Sequence, residues 1–319
     1  KKSNLVMENM LRFHIVLLLV GSIHSFQSPL HIPQLPVRGL IAGRASVGVR
    51  SAEMTPFTSE HLSRLSANGW VAIEDFVPPS LVSDIRKDVM ALRSEGRFKV
   101  AGVGQDSTNA VVTAIRKAET CFIFPKLDPG VGVGSAREKI YNRLATMSAA
   151  LSGNDALGPL AVKLDDRLNE ALYAYYPTGG YYRRHKDAVS GSASVLRTWS
   201  YLLYLNDDWS EGDGGELRIH LDQGGDSFEA SPACPTPQSV DIAPKAGTLV
   251  LFKSDAIPHE VLDTAAERLA VVGWFNRGVS ASDLGALSGS GSNLRTLSLA
   301  LAAGLVTSGV VSIMSTLPS

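Results

Sequence analysis

The spacing of apolar positions divides the chain into a helical half and a stranded half. After Thr58, a helix cap, Leu62 and Leu65 recur at helical spacing up to Asn68 and Gly69, which read as a stop. A second helix is predicted from Pro78, Pro79 and Ser80, with Leu81, Val82, Ile85, Val89 and Leu92 on one face. Between them WVAIEDF has the composition of a strand. Helical spacing returns from Ala136 to Leu151 and from Leu160 to Leu172. From Ala171 onward the pattern changes to short apolar segments divided by Gly, Asp, Pro and Ser: ALYAYY, GYYRRHK, TWSYLLYLN, GELRIHL, TLVLF, HEVLD and RLAVVGWF. Such a series predicts an antiparallel barrel or jelly roll, with helices packed on it from the N-terminal side.

Composition narrows the picture. The 319 residues are 45% hydrophobic, enough for one large domain with flanking segments or two modest ones, and too apolar for disorder throughout. A formal net charge of -1 gives no general footprint for nucleic acid. Cys121 and Cys234, without CxxC spacing, support neither a disulfide scaffold nor a zinc knuckle, and one bridge between them stays open.

The two ends read differently from the middle. Residues 1–52 have the character of a targeting leader. An apolar run from Ile15 to Val20 is too short to span a bilayer, and from Met10 through Ala52 there is no Asp or Glu, while Arg12, Arg38, Arg44 and Arg50 are present. The join Ile23 to Pro29, with Phe26, resembles the phenylalanine-marked cleavage site of bipartite plastid-targeting leaders in algae with secondary plastids. A plastid is the expectation, and an ordinary secretory signal followed by a disordered stretch is the alternative. Residues 279–319 read as a linker followed by an apolar tail. Thr296 to Ser319 carries no charged residue and is just long enough to span a membrane, so it is a membrane anchor, a helix packed on the domain or a frayed tail. The Gly-rich AGVGQD near Val100 lacks a phosphate-loop ending and reads as a mobile loop; 227–237, rich in Pro and Ser, reads as an exposed loop.

The candidate chemistry lies in YYPTGGYYRRHKD, Tyr175 to Asp187. On a strand, residues two apart share a face, so His185 and Asp187 would offer an imidazole and a carboxylate to one space, about 7 Å apart at the backbone. The lead-in predicts a hairpin with its turn at Thr178, Gly179 and Gly180. Downstream, His259 follows a strand-forming run, and Arg268 opens RLAVVGWFNR. Two His and one carboxylate suit non-haem Fe(II), leaving open positions for a chelating cosubstrate and O2. Arg268 can clamp a carboxylate bidentately, with Tyr204 as a hydroxyl donor. Tyr175, Tyr181 and Trp199 read as core or rim aromatics, and Arg183, Arg184 and Lys186 as a solvated face or a rim that meets substrate.

The segments YYPTGGYYRRHKDA, YLLYLNDDW, DGGELRI, PHEV and RLAVVGWF, in this order, resemble the prolyl hydroxylase branch of the Fe(II)- and 2-oxoglutarate-dependent dioxygenases. The resemblance implies a mainly β fold, a double-stranded β-helix of the jelly-roll or cupin type, supported by N-terminal helices. It implies an organisation of helical support with a first strand over 55–165 and a catalytic core over 166–278. It assigns iron to His185, Asp187 and His259, the distal carboxylate of 2-oxoglutarate to Arg268, and cosubstrate-pocket roles to Tyr204 and Tyr176. It places Arg197 near a bound peptide and Trp274 over the cosubstrate pocket. The implied reaction releases succinate and CO2 while hydroxylating a C–H bond, with Fe(II), 2-oxoglutarate and O2 as participants and ascorbate as the reductant that rescues iron. The expected partner is a proline-containing protein or peptide; a small-molecule hydroxylase and a non-catalytic metal-binding module are the rivals.

Overall fold

In a computed structural model, residues 56–102, 111–124, 127, 130–190, 192–221, 239–280 and 283 are described. The expected leader, the greater part of the Gly-rich loop, the 227–237 loop and the apolar tail lie outside them. No helix among the described residues is long and apolar enough to cross a membrane.

Helix α1, Ser59–Asn68, starts where Thr58 predicts: its hydroxyl accepts from the His61 backbone N–H, and His61 Nδ1 accepts in return from Thr58 N at 3.0 Å. Reciprocal caps of this kind contribute about 1 kcal/mol. Gly69, at φ 75°, ends the helix with its N–H on Leu65 O. Strand β1, Trp70–Ile73, is shorter than WVAIEDF suggested, because the chain turns at Glu74 and Asp75 before Phe76 and Val77 return to the core. Helix α2, Pro79–Ser94, buries the expected face. Short strands β2, Lys99–Val100, and β3, Arg116–Lys117, precede β4, Glu119–Phe124, and helix α3 is Gly134–Leu151.

The helix expected from Leu160 to Leu172 does not form. Gly158 at φ 54° and Pro159 break the local turns, and Asp165 accepts from the Arg167 N–H in a second short 3-10 turn. The chain then enters β5, Glu170–Tyr176, whose residues pair with strands on both sides. Sheet pairing and burial override a helical spacing of leucines. The remaining strands are β6, Tyr181–His185; β7, Arg197–Tyr204; β8, Leu217–His220; β9, Ser239–Ile242; β10, Leu249–Lys253; β11, His259–Val261; and β12, Arg268–Asn276.

These strands form two antiparallel sheets, a major one in the order β1-β10-β7-β12-β5-β4-β2 and a minor one in the order β3-β6-β11-β8-β9. The expected hairpin is therefore absent. β5 belongs to the major sheet and β6 to the minor one, so the turn at 178–180 carries the chain between sheets. Gly180 is required there, since a Cβ would lie 2.7 Å from Pro177 O and 3.0 Å from Lys117 O. β1 and β4, from the region expected to support the core, are integral strands of the major sheet.

Each face of the major sheet has its own core. Leu203, Leu251, Val271 and Tyr173 pack with Ile85, Val89, Ile140 and Leu144 of the helices. Their neighbours Leu202, Val250 and Ala270 face the other way and pack with Leu217, Ile219 and Ile242 of the minor sheet. Among the helices Asp88 is wholly buried, with Arg137 Nη1 at 2.6 Å and Tyr173 Oη at 2.7 Å, so one carboxylate ties α2 to α3 and β5. Cys121 is buried with a free thiol; Cys234, its possible partner, lies outside the described residues.

Candidate active site

The site sits where the inner faces of the two sheets meet. His185 ends β6 and His259 begins β11, and they are direct register partners, with ring centroids 4.3 Å apart. Asp187 arrives from a bend just beyond the end of β6 rather than from the strand itself. Its carboxylate lies 3.4 Å from His185 Nε2 and 3.8 Å from His259 Nε2, and one ligand atom from each residue falls within 4.8 Å of the others. The back nitrogens are committed to backbone. His185 Nδ1 meets Arg183 O at 2.9 Å and His259 Nδ1 meets Ile257 O at 3.1 Å. Donation from Nδ1 to a carbonyl leaves each Nε2 as a lone pair facing the common centre, the arrangement a metal needs.

Burial sets the charges. It lowers the His259 imidazole to about 4, with His185 adding to the effect, so this ligand is neutral at pH 7. Burial alone would raise the Asp187 carboxyl, but His259 and His185 outweigh it and hold it below the ordinary carboxylate range. Neutral imidazoles and one carboxylate are the donor set of a 2-His-1-carboxylate iron site.

A second half of the site lies beside it on the major sheet. Arg268 pairs in register with Tyr176, and Ala270 with Tyr204, so the guanidinium carbon stands 5.0 and 5.1 Å from the two phenol rings. Arg268 Nε donates to Gly215 O at 2.7 Å. Gly215 allows this approach: at φ 74°, a Cβ would meet Arg268 Cδ at 3.0 Å. The two remaining guanidinium nitrogens, and the Tyr204 hydroxyl, are buried without a hydrogen-bond partner among the described residues. Burial pushes the Tyr204 phenol up to about 12 against the opposing pull of Arg268, so it stays a neutral donor. Unpaired buried donors cost about 1–3 kcal/mol each, more when charged. A carboxylate of a bound acid would offer an acceptor to all three, and 2-oxoglutarate has both the groups these residues call for, a carboxylate for the guanidinium and a chelating keto acid for a metal.

Arg197 and Trp274 form one unit. The Arg197 guanidinium lies 3.5 Å from a Trp274 ring centroid, reaches Asp187 O at 3.3 Å, and pairs with Glu170 at 3.2 Å. Arg197 is thus committed to the backbone of a ligand and to an acid that sequence reading had not singled out. Of the expected basic rim, Arg183 pairs with Asp263 at 2.9 Å. Tyr175 and Trp199 are core, as expected, and the Tyr181 hydroxyl donates to Thr113 O at the rim.

Residues 171–276 match the family model described as the 2OG-Fe(II) oxygenase superfamily. A prolyl 3-hydroxylase, OGFOD1, from Xenopus laevis is 31% identical over 97 residues, which are 29% of this chain and 16% of that relative's length. A prolyl-4-hydroxylase structure from Pseudomonas putida aligns with a TM-score of 0.52 and 28% identity over 69% of this chain and 98% of its own. A Trichoplax adhaerens prolyl hydroxylase, in complex with a hypoxia inducible factor oxygen degradation domain peptide fragment, aligns with a TM-score of 0.54 and 25% identity over 68% and 88%.

Proposed function

We propose, from the match of residues 171–276 to the 2OG-Fe(II) oxygenase superfamily and the likeness to a prolyl-4-hydroxylase structure, that the protein is an oxygenase of this kind and hydroxylates a prolyl residue of a protein or peptide. The observation that carries this reading is the His185, Asp187 and His259 triad together with Arg268, whose two outer nitrogens have no hydrogen-bond partner among the described residues, and the Tyr204 phenol beside it. Bound iron and 2-oxoglutarate supply the oxidation, in which the keto acid loses CO2 to become succinate while one atom of O2 enters the substrate C–H bond.

The chain's own residues do the rest. His185 and His259 present Nε2, held by their Nδ1 bonds, and Asp187 supplies the anion. Arg268 and Tyr204 fix the distal carboxylate, with Tyr176 closing one side. The wall formed by Leu202, Val250, Phe252, Ile219 and Ala270 keeps water from the acid's chain and strengthens its polar contacts. Trp274 and Arg197 line the cosubstrate and substrate side. The protein substrate is supported by the peptide bound to the Trichoplax adhaerens enzyme and by the prolyl hydroxylase relatives. Ascorbate as reductant and residence in a plastid belong to the same proposal, the latter resting on the leader's composition.

The test is succinate formation by the full chain with Fe(II), 2-oxoglutarate, ascorbate and air, with and without proline-containing peptides, beside His185→Ala. Succinate that depends on His185 and rises with peptide, together with a mass gain of one oxygen on proline, is the expected result. Iron-loaded, folded protein that makes no succinate under any substrate condition overturns it.

A further inference from the structure

One aromatic beside the iron ligands is held by a residue that the mechanism above does not use. Tyr182 precedes His185 by three positions, which on a regular strand places the two side chains on opposite faces. The register shows why they meet. β11 pairs His259 with His185 and Val261 with Tyr182, so two steps on β11 span three on β6. This bulge turns Tyr182 to the His185 side. The two rings stack at 3.6 Å between centroids and 22° between planes.

The adjoining strand completes the arrangement. Arg116 of β3 is the register partner of Tyr182, and its guanidinium carbon lies 4.4 Å from the Tyr182 ring centroid. Because a ring stacked at 3.6 Å fills one face of the phenol, the guanidinium takes the other. Arg116 Nη1 donates weakly to Gly102 O at 3.5 Å, and its Nε is buried with no partner. Among the described residues no carboxylate pairs with it. A guanidinium that is not neutralised by an acid keeps its full attraction for a π face.

We infer that Arg116 is a positioning residue for the metal site, holding the Tyr182 ring flat against His185 so that His185 Nε2 keeps its direction toward the metal. The hydrogen bond from His185 Nδ1 to Arg183 O anchors one edge of the imidazole; the stack sets its plane. This inference rests on the reading of His185, Asp187 and His259 as metal ligands, and it adds a support that belongs to β3, far from the ligands in sequence.

The experiment is titration of the full chain with Co(II) alone, followed by its visible absorption bands. Arg116→Ala is expected to bind Co(II) about tenfold more weakly, the lower end of what loss of an outer support for a ligand brings, and to show altered bands at saturation. Arg116→Lys, which keeps a cation over the ring, is expected to recover most of the affinity, and Arg116→Gln is not. Tyr182→Phe, which keeps the stack, should bind like the wild type, and Tyr182→Leu like Arg116→Ala. Lys117→Ala, on the same strand, is the control for general disturbance of β3. Wild-type binding with unchanged affinity and bands in Arg116→Ala overturns the inference alone. So does rescue by Gln equal to that by Lys, or an affinity loss that follows the melting temperature with unaltered bands. Failure of the wild type to bind Co(II) overturns the metal-site reading itself.

Discussion

His185 and His259 are direct cross-strand partners, one closing β6 and the other opening β11, and their back nitrogens both rest on carbonyls of residues two positions earlier. Cross-strand partners on one sheet face have Cβ atoms about 4.5–5.5 Å apart, so two ligands meet without any loop having to order itself. The proposed metal centre is therefore built into the ladder of the minor sheet, and its rigidity would come from strand pairing.

Arg268 should be the residue on which cosubstrate affinity depends most. Its two outer nitrogens and the Tyr204 hydroxyl have no hydrogen-bond partner among the described residues. Arg268→Ala is expected to raise the KM for 2-oxoglutarate by about 100-fold, equivalent to about 2.7 kcal/mol, within the range for losing a charged hydrogen bond. Arg268→Lys should restore little, since a point charge cannot reproduce two parallel bonds. Tyr204→Phe should cost about tenfold. Steady-state kinetics over a range of 2-oxoglutarate concentrations checks all three.

Asp88 should matter to stability and not to chemistry. Removing it leaves the buried Arg137 guanidinium and the Tyr173 hydroxyl without their shared acceptor. Asp88→Ala is expected to lose about 3–5 kcal/mol in urea unfolding, the usual consequence of breaking a buried ion pair from one side. The double variant Asp88→Ala with Arg137→Met should lose less than the two single losses added together.

Gly273 on β12 is sealed on two sides. A Cβ there would run into both the Tyr201 hydroxyl and the backbone oxygen of Glu170. Gly273→Ala is expected to destabilise by about 3 kcal/mol, at the upper end of overpacking effects. Combining it with Tyr201→Phe should not rescue it, because the clash with the Glu170 carbonyl remains. As β12 also carries Arg268 and Trp274, the melting curve and the 2-oxoglutarate KM should change together.

Asp283 should make stability depend on pH. Its two oxygens receive Arg277 Nη1 at 2.6 Å and Nη2 at 2.8 Å, and Ser280 adds N–H and O–H donors. Arg277 above all, with Ser280, holds the carboxyl below its ordinary value of 3.8. A depressed folded value means the contribution is complete above the unfolded value and is lost as pH falls below it toward the folded one. Asp283→Asn should therefore melt lower than the wild type at pH 7, and the gap should narrow below about pH 3.8.

Much of the protein is local and so is written in the order of its residues. The Thr58 cap, the Gly69 stop, the apolar face of α2 and the near-continuous apolar runs of β7, β10 and β12 each depend on neighbours within a turn or a strand. The candidate ligands and Arg268 could be singled out for the same reason: a metal and a carboxylate require particular side chains, and the strands that carry them announce themselves by composition. Leu160 to Leu172 marks where this stops, because its leucines have helical spacing and only β4 and β12 on either side make residues 170–176 a strand. The Tyr175 to Asp187 segment looks like a hairpin until the two sheets are seen to take one strand each. Arg197 could be named, but not its bonds to Glu170 and to the backbone of Asp187. The contact of Tyr182 with His185, and of Arg116 with Tyr182, follows from a bulge set by pairing with β11 and from an edge strand of two residues. Residue identity and local periodicity determined which groups are candidates for the chemistry. Register between distant strands decided what stands behind them, because a shift of one position reverses the face on which every side chain lies.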